Sequence, residues 1–86
     1  MSDSPYVKKL TLGAPATYRI EVQGNLAESW SGRLSGMRIE TSSRGDQKSI
    51  TTLTGRVRDQ AELAGVLNSL YEMHFPILSV DLMSIE

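Results

Sequence analysis

The stretch Asp59 to Met83 constrains the fold more than any other part of the chain, because it holds a helix start, a helix stop and a strand in immediate succession. Asp59-Gln60-Ala61-Glu62 reads as a capping box. The Asp59 carboxylate accepts free N–H groups of the first turn, and Glu62 reaches back to the Asp59 N–H. Leu63, Val66, Leu67, Leu70 and Tyr71 follow at the spacing of one helical face. Pro76 forces an end, since the residue before a proline is pushed out of the α region. Ile77 to about Met83 then alternates as a strand, with Leu78, Val80 and Leu82 expected inward and Ser79 and Asp81 outward.

The remaining elements fall on either side of a turn. Thr17 to Gly24 is a strand with Tyr18, Ile20 and Val22 on one face and Arg19, Glu21 and Gln23 on the other. Such alternation implies a sheet with one buried and one wet face. Asn25-Leu26-Ala27-Glu28 is a second capping-box pattern. It predicts a short helix through about Leu34, with Ala27, Trp30 and Leu34 inward. Met37, Ile39 and Thr41 form the inner side of a second strand, with Arg38, Glu40 and Ser42 outside. Ser43 to Gln47 is a turn by composition. Lys48 to Val57 is a third strand whose alternation slips between Ile50 and Leu53, so a β-bulge is expected near Thr51-Thr52. Gly55 leaves room there for a close neighbour.

The order β-α-β-β-α-β is that of an α+β, ferredoxin-like two-layer sandwich with a four-stranded antiparallel sheet. Should the first helix be only a turn, an antiparallel meander with one long helix is the alternative. Residues 1–16 carry Pro5, Gly13 and Pro15 and read as a loosely ordered N-terminal arm, with residues 17–86 as the single domain.

With 86 residues the chain can build only one thin core, which makes a homodimer or a protein partner a reasonable expectation. Nine Lys+Arg face ten Asp+Glu, and the basic residues are scattered, so no nucleic-acid partner is expected. There is no cysteine, which excludes disulfides and thiol catalysis. No secretory pattern or membrane-length apolar run is visible, and a soluble cytoplasmic protein without a membrane partner is expected.

Several residues assembled above resemble a small bacterial family of uncharacterised single-domain proteins. The resemblance rests on Tyr18-Arg19-Ile20-Glu21-Val22-Gln23-Gly24, Leu26, Trp30-Ser31, Leu53 through Leu63, Leu70 and Phe75 through Val80, and covers about residues 17–82. It implies a stand-alone domain of unknown function and supplies no catalytic residues. The family usually has glycine where this chain has His74.

No catalytic, metal or cofactor site is expected. His74 is the single histidine, and its place two residues before Pro76 makes it a helix terminator rather than a ligand or base. Asp59 and Glu62 are accounted for as a cap. Trp30 and Arg33, at a strand-to-helix junction, are a weak candidate for a ligand surface, although Trp30 as a core plug is the simpler reading. Arg19, Glu21, Arg38 and Glu40, on the outer sheet face, are a weak candidate for a partner surface. The expected function is a non-enzymatic binding module for a second copy, another protein or a small regulatory ligand; the alternative is a small enzyme or accessory subunit with a site near Trp30. If Trp30 and His74 were exposed and shared one pocket, the enzyme reading would gain.

Overall fold

The computed structural model describes residues 15–42 and 49–85. The element order is β1 (Ala16–Gln23), a 3₁₀ helix (Glu28–Leu34), β2 (Arg38–Ser42), β3 (Ile50–Val57), α1 (Gln60–Glu72) and β4 (Ile77–Ile85). The four strands form one sheet in the order β2-β3-β1-β4, and every neighbouring pair is antiparallel. A meander would place consecutive strands side by side; here β1 lies between β3 and β4, so that alternative is excluded. Each helical crossover instead skips one strand: β1 to β2 passes β3, and β3 to β4 passes β1. The expected arm and the turn over Ser43–Gln47 lie outside the described residues, apart from Pro15 and Ala16; Ala16 already opens β1 and is buried.

Tyr18, Ile20 and Val22 of β1 are buried, as their alternation predicts. The buried Tyr18 hydroxyl is satisfied by the Gln60 side-chain amide at 2.7 Å. β3 departs from expectation. Its register runs unbroken against both β1 and β2, with no bulge at Thr51-Thr52. The alternation never slips, because Thr51 itself faces the core and is 0% exposed. Its hydroxyl donates to the Gly24 carbonyl at 2.6 Å and accepts the Leu26 N–H at 3.1 Å, so a polar side chain sits inside at little cost. Ile50 is turned to the outer face beside Gln23 and Ser42. The register shifts lie between β1 and β4, at Thr17/Tyr18 and at Glu21/Val22.

The first helix is a single 3₁₀ stretch. Asn25 does not cap it; the cap position is Ala27, with no side-chain bond, and the Leu26 N–H is already taken by Thr51. Leu26 and Leu34 are the inward residues, whereas Ala27 is exposed and Trp30 is 39% exposed. A tighter helix of this length turns few side chains onto the sheet. Ser35 and Gly36, at φ 59° and 68°, end it by two successive left-handed residues.

α1 begins as expected and differs in one detail. The Asp59 carboxylate accepts the Glu62 N–H at 2.8 Å. Glu62 Oε1 reaches past Asp59 to the Arg58 N–H at 2.6 Å. That N–H, with help from the Ser35 and Arg58 side chains, holds the Glu62 carboxyl below its ordinary value and outweighs the effect of burial. A lowered folded-state value contributes stability above the unfolded value, near 4.3, and loses it as pH falls through the folded value. Glu62→Gln is therefore expected to lower stability by about 0.5–1 kcal/mol at pH 7, with the difference from wild type shrinking below about pH 4. Urea titrations of both proteins across pH 3–7 would check this; a difference independent of pH would overturn it.

Leu63, Val66 and Leu70 of α1 are buried, but Tyr71 is 78% exposed. The expected five-residue stripe narrows to these three, with Leu67 packed partly buried beside them. The helix closes as a Schellman motif: the Phe75 N–H bonds the Leu70 carbonyl, and the His74 N–H bonds that of Tyr71, both at 3.0 Å. His74 takes the left-handed position at φ 67°. His74→Gly is expected to keep the fold and to raise stability by up to about 1 kcal/mol, since glycine bears no Cβ penalty there. A clear loss in a thermal melt would sink this account.

The core thus lies between the sheet and one helical layer. It holds thirteen buried apolar residues, and none of them comes from β4.

Candidate functional site

The outer sheet face carries four of the six residues singled out from the sequence. The strand registers set Asp81, Arg19, Thr54 and Arg38 in one row across the sheet, and Ser79, Glu21, Thr52 and Glu40 in the next. Arg19 pairs with Asp81 at 3.7 Å, and Arg38 with Glu40 at 3.0 Å. The Ser79 hydroxyl donates to Glu21 at 3.2 Å. Arg19, Arg38 and Glu40 are therefore each in an ion pair, while Glu21 has a hydrogen bond from a neutral hydroxyl. Exposed pairs of this kind contribute about 0–1 kcal/mol and leave little field to attract a charged ligand. No aromatic residue stands at an outward position of the described strands.

Trp30 and Arg33 come together on the 3₁₀ helix. Residues three apart eclipse in a 3₁₀ helix, which sets the Arg33 guanidinium 5.4 Å from the centre of the Trp30 ring. Trp30 is thus an exposed, arginine-covered ring and not the plug of the core; Leu26 and Leu34 fill that role. The depression beside this helix, about 390 Å³, is lined by Ser31, Met37, Arg38 and neighbours, without Trp30 or His74. His74 borders a shallow depression of about 380 Å³ with Tyr71, Glu72, Phe75 and Pro76. The tryptophan and the histidine are both exposed but do not converge on one pocket. Among the described residues no group of three or more acidic or histidine side chains is placed to hold a metal ion.

The feature that sequence reasoning missed is β4. Val80 stands opposite Ile20, and Leu82 opposite Tyr18, so both belong to the core-side face of the sheet. Ile20 is 0% exposed, yet its neighbour Val80 is 40% exposed. Of this strand only Leu82 packs, partly buried, against the core. Leu78 was expected inward but is half exposed, as is Met83, and Ile77 is 39% exposed. With Val80 they give β4, at one edge of the sheet, an apolar margin of four exposed side chains. A signal for it existed. The doublets Ile77-Leu78 and Leu82-Met83 break the alternation of β4, and the two register shifts against β1 fall beside them.

Among the described residues no helix is long and apolar enough to cross a membrane. No characterised protein and no solved structure matches the chain. A family model described as a domain of unknown function, DUF8691, matches residues 17–81, most of the chain and all of β1, β2, β3 and α1 except Ala16. The chain therefore belongs to this family of domains of unknown function.

Proposed function

We propose that this chain is a non-enzymatic interaction module whose working surface is the β4 margin. One observation carries the reading: of the six apolar side chains of a nine-residue strand none is fully buried, four are exposed, and Leu82 alone packs partly against the core. Exposed apolar side chains on a small domain mark contact surfaces, and among the described residues β4 is an edge strand, which presents a row of backbone donors and acceptors. The scaffold is in this reading a ferredoxin-like variant. The two crossovers, each skipping one strand, support it, and the reduction of the first helix to one 3₁₀ stretch is its departure. The cytoplasmic setting expected from the sequence is part of the same proposal. Nucleic acid does not enter it, since the outer face carries both signs of charge in pairs and no ring for a base to stack on at an outward strand position.

The test is photo-crosslinking in the native cell. A photoreactive phenylalanine analogue at Leu78 is expected to give an adduct of defined mass, and the same probe at Arg38, on the opposite edge, none. Equal labelling from both edges, or none from Leu78, would overturn the module reading.

A further inference from the structure

We infer that the β4 margin is occupied by a second copy of this chain, joined edge to edge through β4 in an antiparallel pair with its two-fold axis at Val80. This rests on the interaction-module reading above and names the partner.

The two edges of the sheet differ. β2 is short, five residues, and presents the Arg38–Glu40 ion pair with both side chains more than 60% exposed. Short, charged edges resist pairing with another chain. β4 runs for nine residues and carries one charge, Asp81, which Arg19 of the neighbouring strand already balances.

The strand is also complementary to itself in one register. In a continuous sheet a two-fold axis must keep each side chain on its own face, so it passes through a residue. An axis at Asp81 would set two carboxylates opposite each other, which is unfavourable. An axis at Leu82 would set Val80 against Ser84 and Asp81 against Met83. An axis at Val80 matches like with like along the strand: Val80 meets Val80, Leu78 meets Leu82, and Ser79 meets Asp81. Ser79 to Leu82 is also the stretch between the two register shifts, where the strand is regular enough to pair. The pairing would bring the two uncovered core-side margins together and hide Val80 from water.

Sedimentation of the full chain tests the inference. Wild type is expected as a concentration-dependent dimer, and Val80→Lys, which sets two like charges on the axis, is expected to weaken it on the order of 100-fold. Glu40→Lys, on the other edge, should leave the dimer intact. Since Val80 is 40% exposed, the lysine variant should fold. As a second readout, Val80→Cys adds a thiol to a chain without cysteine. Directly paired positions bring Cα atoms about 4.5–5.5 Å apart, within disulfide reach, so mild oxidation should link the dimer at Val80→Cys and not at Glu40→Cys. A monomeric wild type, a dimer indifferent to Val80→Lys, or no disulfide at Val80→Cys would overturn the second copy as partner. In the first case, an adduct from Leu78 to a different protein would leave the module reading standing, and no adduct would remove both.

Discussion

Thr51→Val is expected to lower the stability of the domain by about 2–4 kcal/mol, although valine matches threonine in shape and is the better strand former. A hydroxyl has one proton and two lone pairs. At Thr51 the proton goes to the Gly24 carbonyl at 2.6 Å, and one lone pair takes the Leu26 N–H at 3.1 Å. The Thr41 hydroxyl, 3.1 Å away, is then the donor to the other. Valine would strand a backbone N–H and a carbonyl at the point where β1 turns into the first crossover. Each such buried orphan costs about 1–3 kcal/mol. The loss would fall on one connection: Gly24 to Leu26 is pinned to β3 by this side chain, and Leu26 is itself 2% exposed. Thr51→Ser keeps the hydroxyl and is expected to cost no more than about 1 kcal/mol, for the buried methyl. Urea denaturation of the three proteins would decide. A valine variant no less stable than the serine variant would show that the hydroxyl network contributes nothing.

Thr51 also shows where reading from the chain stops. β1 and α1 were legible because their signals are local: strict alternation around Ile20 in one case, the Asp59 cap and the Pro76 stop in the other. The left-handed turn at His74 was legible for the same reason. β3 needs no bulge between Ile50 and Leu53, because Thr51 takes the inward place and Ile50 the outward one, and only partners 25 and 27 residues away make that threonine inward. Trp30 was given to the core on size, yet whether a ring is buried depends on the helix type, and a 3₁₀ helix of seven residues presents mainly Leu34 to the sheet. Tyr71, Leu78 and Val80 failed together for one non-local reason. Alternation shows which face a strand residue takes, not whether anything lies above that face, and here Val80 is 40% exposed beside a buried Ile20. As for the candidate surface, the outward sense of Arg19, Glu21, Arg38 and Glu40 was legible, while the partners of Arg19 and Glu21, Asp81 and Ser79, required the register of β1 with β4.

Gly55→Ala is expected to destabilise the domain by about 1–3 kcal/mol, the cost of adding one methyl to a core with no room for it. A Cβ at Gly55 would stand 2.8 Å from Met37 Cγ and 3.1 Å from Met37 Cα. Met37 is 1% exposed and opens the path into β2, so its side chain has little space to retreat into. The two contacts separate in a double-mutant cycle. Met37→Ala removes the Cγ but leaves the Cα where it is, and should itself cost about 2–5 kcal/mol as a large-to-small change in a core. If the flexible side chain accounts for most of the clash, Gly55→Ala will cost much less in the Met37→Ala background than in wild type. If the backbone contact dominates, the cost will stay near its wild-type value, because β2 itself must move away from β3. A Gly55→Ala protein as stable as wild type would mean that Met37 and its strand can shift freely, and would contradict the close packing of β2 on β3 from which the first crossover takes its position.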